Sequence, residues 1–155
     1  GPSLTNQGFL ESILRVFKET GVSPSMVCFE ITETVAISNL DSAISFIQNL
    51  KKSGFRFALD DFGSGISSFG YLKTLPVDYL KIDGMFVKGI VDDPIDYAML
   101  KSINEIGQVM GMQTIAEFVE NDEIKDMLTA IGVNYGQGYG LGKPKRLKEL
   151  VEQSY

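Results

Sequence analysis

Residues 55–83 read FRFALDDFGSGISSFGYLKTLPVDYLKID, and this stretch contains the pattern of strands and polar strand ends from which we predict the fold. It contains two short apolar runs, residues 55–59 and 77–82, of the kind that form buried strands. The first run ends in the adjacent acids Asp60 and Asp61, which open a glycine- and serine-rich loop. The second run carries Lys81 and is followed directly by Asp83, so both predicted strands end in charged residues.

The same alternation extends in both directions along the chain. Apolar residues at helical spacing predict helices, and short apolar runs between turn residues predict strands. Alternating strands and helices imply a parallel sheet with helices packed outside it. The predicted helices span residues 9–20, 40–52, 94–110, 121–131 and 146–153, and the predicted strands span residues 26–29, 55–59, 77–82, 112–116 and 133–135.

A parallel sheet of this kind is either open or closed into a barrel. In a βα barrel the carboxyl ends of all strands converge on one mouth, and nearly every predicted strand ends in polar residues. An open doubly wound sheet usually carries a glycine-rich phosphate-binding turn after its first strand, and the sequence has none there. We therefore expect an α/β fold, a TIM-type βα barrel that is incomplete, with about five or six βα units and the first strands missing. The polar strand ends are Glu30, Glu33, Asp60, Asp61, Lys81, Asp83, Glu117, Glu120 and Gln137.

Composition excludes several classes of function. The chain has no histidine, which removes imidazole as a base, as the partner of a nucleophile and as a zinc ligand. With 20 acids against 14 bases the net charge is −6, so a DNA or RNA polymer is not an expected partner. No window approaches the roughly 18 consecutive apolar residues that suggest a membrane span. The single cysteine, Cys28, is expected to be an inert core thiol. It fits a reducing, cytoplasmic location, whatever sensor domains or membrane attachment the parent protein carries.

The acids at the strand ends have two interpretations. Taken singly, a carboxylate after a strand is most often a helix cap or a solvated loop residue. Taken together, Glu30, Asp60, Asp61 and Glu117 would repel one another at one mouth unless cations bridge them. Hard divalent cations such as Mg²⁺ or Mn²⁺ prefer oxygen ligands, and two of them can clamp a phosphodiester without any histidine.

Lys81 also has two interpretations. It could fill the interior of the barrel as a cation paired with Asp83. Among acids it could instead orient or activate an attacking water, or stabilise the charge that develops on a phosphate. The sequence alone leaves both interpretations open.

From Phe29 onward the sequence closely resembles the EAL family of bacterial cyclic-di-GMP phosphodiesterases. The resemblance implies a βα barrel that hydrolyses cyclic-di-GMP to linear pGpG with two Mg²⁺ or Mn²⁺ ions. The alternative is a non-catalytic cyclic-di-GMP receptor or dimerisation module with the same fold. The motifs that carry the resemblance cover nearly the whole chain and are Glu30-Ile-Thr-Glu33, Asp60-Asp-Phe-Gly-Ser-Gly-Ile-Ser-Ser68, Leu75-Pro-Val-Asp-Tyr-Leu-Lys-Ile-Asp83, Ala116-Glu-Phe-Val-Glu120, and Gly136-Gln-Gly-Tyr139 with Pro144.

The resemblance implies a role for each matching residue. Lys81 matches a catalytic lysine that supports the attacking water, Glu120 matches a supporting catalytic acid, and Gln137 matches a substrate-binding residue. Glu33 matches an acid that holds the loop of residues 60–70, which in the family also contributes to dimerisation. The implied metal ligands are Glu30, Asp60, Asp61 and Glu117.

Two departures from the family pattern affect what we expect of the chain. The Glu-Ala-Leu strand and the asparagine strand that follows it in the family are absent. We interpret residues 1–2 as a tag remnant. Because the two strands are absent, we interpret residues 3–155 as a truncated EAL phosphodiesterase domain. Without the metal ligands of those strands, we expect little or no hydrolysis by the chain itself. The second departure is Phe118, where the family usually has glycine, and its ring could narrow the site or pack elsewhere.

Missing strands also affect association. A barrel without its first strands has open parallel edges, and open edges invite pairing with another copy of the chain. We therefore expect a homo-oligomer that forms through these edges or through the loop of residues 60–70.

Overall fold

A computed structural model describes residues 7–64 and 69–143 of the chain. Helices and strands alternate within these ranges, and 3-10 turns lie at Pro24–Met26 and Phe69–Lys73. The elements in chain order are α1 (Gln7–Thr20), β1 (Cys28–Thr32), α2 (Glu33–Ser38), α3 (Leu40–Lys51), β2 (Arg56–Phe62), β3 (Tyr79–Ile82), α4 (Gly84–Gly89), α5 (Pro94–Val109), β4 (Gln113–Ala116), α6 (Asp122–Ile131) and β5 (Tyr135–Gly136).

The five strands form one parallel sheet whose spatial order equals their order along the chain. α-Helices connect β1 to β2, β3 to β4 and β4 to β5, which is the repeating βα unit of a TIM-type barrel. The described part of the connection between β2 and β3 contains the 3-10 turn Phe69–Lys73. In the described part of the chain β1 and β5 each pair on one side, so the barrel is incomplete, as predicted. Because all the strands run in one direction, their carboxyl ends lie along the same edge of the sheet.

The core lies between the sheet and the helices outside it. Phe57 and Leu59 of β2 are almost fully buried. On α3, the buried residues Ala43, Ile47 and Leu50 recur at helical spacing, so one face of this helix packs into the core. This packing fixes the strands and thereby the positions of the side chains at their carboxyl ends.

Several elements differ from those predicted. β2 continues to Phe62, so Asp60 and Asp61 lie within the strand and the loop after it begins at Gly63. β1 begins at Cys28 and continues to Thr32, because Pro24–Met26 forms a 3-10 turn in place of the start of a strand. The short helices α2 and α4 follow directly on β1 and β3, where Thr32 and Asp83 cap their amino ends. β5 is displaced toward the carboxyl terminus and consists of Tyr135–Gly136.

The environment of Cys28 is a further correction. We expected a core thiol, but Cys28 is exposed at the start of β1. Its strand is at the edge of the described sheet, so the helices and strands that would bury a central position do not cover it.

The predicted helix over residues 146–153 lies outside the described residues. Among the helices of residues 7–64 and 69–143, none combines the length and the hydropathy needed to cross a membrane.

Candidate active site

The carboxyl ends of four neighbouring strands bring predicted site residues together. Glu30 lies in β1, Asp60 and Asp61 lie in β2, Lys81 lies in β3, and Glu117 follows β4 directly. The strands pair in parallel, so residues that are far apart in sequence meet at one edge of the sheet.

Lys81 lies at the centre of this group. Its Nζ donates a hydrogen bond to Glu30 Oε1 at 2.8 Å and lies 3.1 Å from Glu117 Oε1 and 3.6 Å from Asp60 Oδ1. The side chain is only 5% exposed, and a buried ammonium group requires partners of opposite charge. Asp83, the partner in the alternative interpretation, accepts the Met85 N–H and caps α4. The structure therefore places Lys81 among the strand-end acids.

Burial and charge act on Lys81 in opposite directions. Burial disfavours its charged form, but the hydrogen bonds to Glu30 and Glu117 and the charge of Asp60 outweigh this and raise the pKa of Lys81 to about 12. Lys81 is therefore protonated at neutral pH. It can donate hydrogen bonds and stabilise negative charge, but it cannot serve as a proton acceptor.

Two of the acids hold their protons more tightly than usual. Burial raises the pKa of Glu117 to about 7, and the negative charge of Asp60 adds to this effect while the ammonium group of Lys81 opposes it. Burial and then the charges of Asp60 and Asp83 also raise the pKa of Asp61. Burial is the larger cause of both shifts and the neighbouring carboxylates add to it, so a bound cation would favour the charged forms of both acids.

A bulge in β2 allows two adjacent acids to serve the same site. In a regular strand consecutive side chains point to opposite faces. The pairing of β2 with β3 shifts register between Leu59 and Phe62, and Asp61 has a φ of 56°, in the left-handed region that Asp tolerates better than most residues. The Asp61 N–H donates to Asp60 Oδ1 at 2.9 Å. The bulge thus turns both carboxylates toward one place.

Asp60, Asp61 and Glu117 form a donor set for a divalent cation. One carboxylate oxygen from each residue lies within 4.8 Å of the others. An all-oxygen set of this kind suits hard cations rather than metals that prefer sulfur or nitrogen. Glu30 is connected to the set through Lys81, which contacts Glu30, Asp60 and Glu117. The donor set fits a hard divalent cation.

A buried carboxylate connects α2 to the loop that follows β2. Glu33 is 3% exposed, accepts the Gly63 N–H at 3.2 Å and accepts a hydrogen bond from the Tyr71 hydroxyl. Gly63 follows Asp61 closely and Tyr71 lies in the second 3-10 turn, so one carboxylate contacts both sides of the loop. The loop-stabilising role of Glu33 stays a prediction, and these contacts support it.

Glu120 and Gln137 line a cavity of about 370 Å³ beside Glu117. The Val119 N–H donates to the Gln137 carbonyl at 3.0 Å, which holds the segment after β4 against the segment after β5. Both side chains are exposed, so they are accessible to a ligand in the cavity. The lining of the cavity is completed by Phe118, Gly138 and Tyr139.

Phe118 adopts a backbone conformation that favours glycine. Its φ is 57°, and the left-handed region costs a residue with a β-carbon on the order of 1–2 kcal/mol. Its ring packs against the backbone of Gly84, where a β-carbon would overlap the ring, and Lys88 Nζ lies 4.4 Å from the ring centroid. The ring therefore packs on α4 and also lines the cavity, which combines the two roles that the sequence left open.

Three contributors to the site were missed in the sequence. Tyr71 and Lys88 carry no local signal, because their contacts depend on the tertiary fold. Tyr139 belongs to a motif that carries the resemblance, but the resemblance implies no role for it, and the structure places it in the lining of the cavity. Its place in that motif was the one available signal.

The fold and the site define a class of protein, the parallel βα barrels with an acidic mouth at the carboxyl ends of their strands that fits a divalent cation. The family model for the EAL domain matches residues 1–144. The chain belongs to the EAL-domain family.

Named relatives and solved structures agree with this assignment. The chain is 51% identical over 153 residues to the cyclic di-GMP phosphodiesterase PdeB of Shewanella oneidensis, covering 99% of the chain and 18% of PdeB. It is 40% identical to the probable cyclic di-GMP phosphodiesterase PdeA of Escherichia coli, covering 95% of the chain and 20% of that relative. The chain thus spans about one fifth of the length of these curated relatives.

A solved structure of the PaMucR phosphodiesterase in complex with c-di-GMP superposes with a TM-score of 0.89 at 32% identity. The match covers 96% of this chain and 60% of that one. The EAL enzyme Bd1971 in its cAMP- and cyclic-di-GMP-bound form superposes with a TM-score of 0.92 at 29% identity, covering 100% of this chain and 41% of that one.

Proposed function

We propose that the chain is part of a metal-dependent phosphodiesterase that hydrolyses cyclic-di-GMP to linear pGpG. The observation that carries the proposal is the position of Lys81, buried among Glu30, Asp60 and Glu117 at the edge where Asp61 joins the cation-binding set. Relatives named cyclic di-GMP phosphodiesterases and a c-di-GMP complex of a similar structure support the choice of substrate.

The catalytic unit is a larger EAL domain of which residues 3–155 form one part. This proposal rests on coverage, because the chain aligns with 60% of the PaMucR phosphodiesterase structure. We propose a cytoplasmic location for this domain, because its substrate is a nucleotide and Cys28 is an exposed free thiol, which a reducing compartment preserves.

Asp60, Asp61 and Glu117, together with Glu30, would hold two Mg²⁺ or Mn²⁺ ions. Such ions would neutralise charge at the phosphodiester and lower the pKa of the attacking water toward neutral pH. The residues provide only oxygen donors, which agrees with this choice of ions.

Lys81, Glu120 and Gln137 have separate roles in the hydrolysis. Water adds to phosphorus and releases a proton, the bond from phosphorus to the 3′-oxygen breaks, and that oxygen takes up a proton, which leaves pGpG. Lys81 stays protonated, so it orients the attacking water and stabilises charge that develops on the phosphate. Glu120 supports this step as a nearby acidic residue, and Gln137 binds the substrate from the wall of the cavity.

The test is pGpG release by an EAL domain of full length that carries this chain, with Mn²⁺ and cyclic-di-GMP. We expect turnover in the unmodified domain and its loss in Asp60→Ala, while a matched variant far from the mouth, Asp126→Ala on α6, keeps it. Binding of cyclic-di-GMP with no pGpG release by the unmodified domain would support the receptor alternative instead.

The chain of 155 residues on its own is expected to show little or no hydrolysis. Measured turnover by the purified chain with Mn²⁺, abolished by Asp60→Ala, would contradict this expectation. We also propose that the chain self-associates through its open sheet edges or the loop of residues 60–70.

A further inference from the structure

The segment directly after β4 holds an unexpected residue in a fixed position. Phe118 has a φ of 57°, where glycine is the residue that fits without strain. Its neighbours fix that conformation, since the Glu117 N–H donates to the Ile82 carbonyl at 3.4 Å and the Val119 N–H donates to the Gln137 carbonyl at 3.0 Å. Non-glycine residues persist in such a conformation where the surrounding structure holds them, and they cluster at functional sites.

Contacts on one side hold the ring in place. Gly84 at the start of α4 touches the ring so closely that a β-carbon there would overlap it. Lys88 Nζ lies 4.4 Å from the ring centroid, and Lys88 is not part of the cavity lining. The position of the ring is therefore set from the α4 side, while Phe118 remains 50% exposed.

The cavity beside Phe118 has the size and lining for a planar polar group. It measures about 370 Å³ and contains a second aromatic residue, Tyr139, which is 67% exposed. Glu120 and Gln137 supply hydrogen-bonding groups along the same wall. Aromatic surface with amide and carboxylate groups suits a nucleobase, which has a π face and an edge of N–H and C=O groups.

The cavity adjoins the cation-binding set, because Glu117 belongs to both. A nucleotide whose phosphate lies at Asp60, Asp61 and Glu117 therefore has its base within reach of Phe118, which follows Glu117 directly.

We propose that Phe118 is a specificity-determining residue whose ring stacks on a guanine base of the cyclic dinucleotide while its phosphate lies at the acidic site. This inference rests on the proposed function. It adds to that function a base contact made by a side chain at a position where the backbone favours glycine.

The main test compares Phe118→Gly with the unmodified EAL domain of full length. Glycine suits the backbone, so the variant should fold, and we expect roughly a 10-fold higher KM for cyclic-di-GMP with kcat changed less than about 3-fold. Phe118→Tyr, which keeps a stacking ring, should restore KM to within about 3-fold of the unmodified domain. Mn²⁺ affinity should be equal in all three proteins, because the metal ligands are unchanged.

A fluorescence experiment tests the stacking itself. The 155-residue chain has no tryptophan, so the emission that Phe118→Trp adds to that of the unmodified full-length domain reports on the proposed contact. Saturating cyclic-di-GMP should quench this added emission, whereas the matched variant Val109→Trp should not respond, since Val109 is 88% exposed at the end of α5.

The outcomes are distinguishable. An unmodified domain that neither binds nor hydrolyses cyclic-di-GMP overturns the proposed function and this inference with it. An active domain in which Phe118→Gly leaves KM unchanged or lowers it overturns the inference alone, because the ring then only packs on α4 or narrows the site.

Discussion

Lys81 is a single buried ammonium group shared by carboxylates from β1, β2 and the end of β4. With a pKa near 12 it carries its charge at any physiological pH. It therefore reduces the repulsion among acids that the fold forces together, and it presents a fixed N–H donor to whatever occupies the mouth.

Replacing Lys81 with methionine separates these two tasks. We expect Lys81→Met to lower pGpG release by the full-length domain by at least about 100-fold, because a preorganised donor is lost. Mn²⁺ binding should be kept or become tighter, since a competing positive charge has gone. The measurements are initial rates and calorimetric titration with Mn²⁺.

The control for this variant is Lys101→Met, which removes an exposed lysine from α5. It should leave both the rate and the Mn²⁺ affinity unchanged. Activity of Lys81→Met within about 3-fold of the unmodified domain would remove Lys81 from the mechanism.

Phe118 gives a stability test that does not depend on activity. Phe118→Ala loses the ring and keeps the left-handed strain, whereas Phe118→Gly loses the ring and relieves the strain. We expect the glycine variant to be more stable than the alanine variant by roughly 1 kcal/mol in chemical denaturation. This order is the reverse of the one found at ordinary helix positions.

Val109 provides the matched pair at an ordinary helix position. Val109→Ala should be more stable than Val109→Gly by about 0.5–1 kcal/mol, because Val109 is exposed near the end of α5. The same order at Phe118 as at Val109 would show that the backbone at residue 118 is not strained.

At the scale of elements, α2 and the loop after β2 are connected by the buried carboxylate of Glu33. Gly63, the first residue after β2, lies two residues after Asp61, so the hydrogen bond to Glu33 holds the backbone next to the acids of β2. Connections between elements of this kind position a site without touching its ligand.

Tyr71→Phe tests that connection by removing the hydroxyl that donates to Glu33. We expect a loss of about 1–2 kcal/mol in the free energy of unfolding, because a hydrogen bond to a buried charge is removed. Mn²⁺ affinity should fall several-fold in the same variant. Tyr97→Phe, which removes the hydroxyl of an exposed tyrosine on α5, should change neither quantity. Unaltered Mn²⁺ binding in Tyr71→Phe would mean that the loop does not support the site.

The long helices were predictable from the sequence, and the short ones were not. α3, α5 and α6 lie within one residue of their predicted boundaries, since each has a long amphipathic pattern and an amino-terminal cap. α2 and α4 have six residues each, too few for a helical period to be recognised. β1 was misplaced because Pro24–Met26 is apolar at its end but forms a 3-10 turn.

The acids and the lysine of the candidate site were predictable, but its geometry and its aromatic contributors were not. Acids after buried strands, together with the topology of a barrel, indicate which residues meet, and Glu30, Asp60, Lys81 and Glu117 do meet. The β2 bulge and the backbone of Phe118 could not be predicted, because they depend on register and contacts with other segments.

At the scale of the whole molecule, the sheet has a free edge on each side within the described residues. Unpaired N–H and C=O groups on such edges favour pairing with another chain. We expect the purified chain to be a dimer or larger in light scattering under reducing conditions, and a uniform monomer at high concentration would contradict this.

A charge on the β1 edge tests whether the chain self-associates through that edge. Cys28→Lys places a cation at the exposed start of β1 and should shift the chain toward the monomer if this edge pairs. Val109→Lys adds the same charge on α5 and should leave the association unchanged. Equal association in both variants would direct attention to the other edge or to the loop of residues 60–70.

The bulge in β2 makes the site depend on the number of residues in the strand as well as on their type. Removing one residue from Arg56–Phe62 restores a strict in-and-out alternation, and one of the two aspartates then turns to the opposite face. Substitutions leave this count intact, whereas a deletion of a single residue keeps the acidic composition and still separates the two carboxylates. An alignment that tolerates a gap within these residues therefore misjudges the site even where both aspartates are retained.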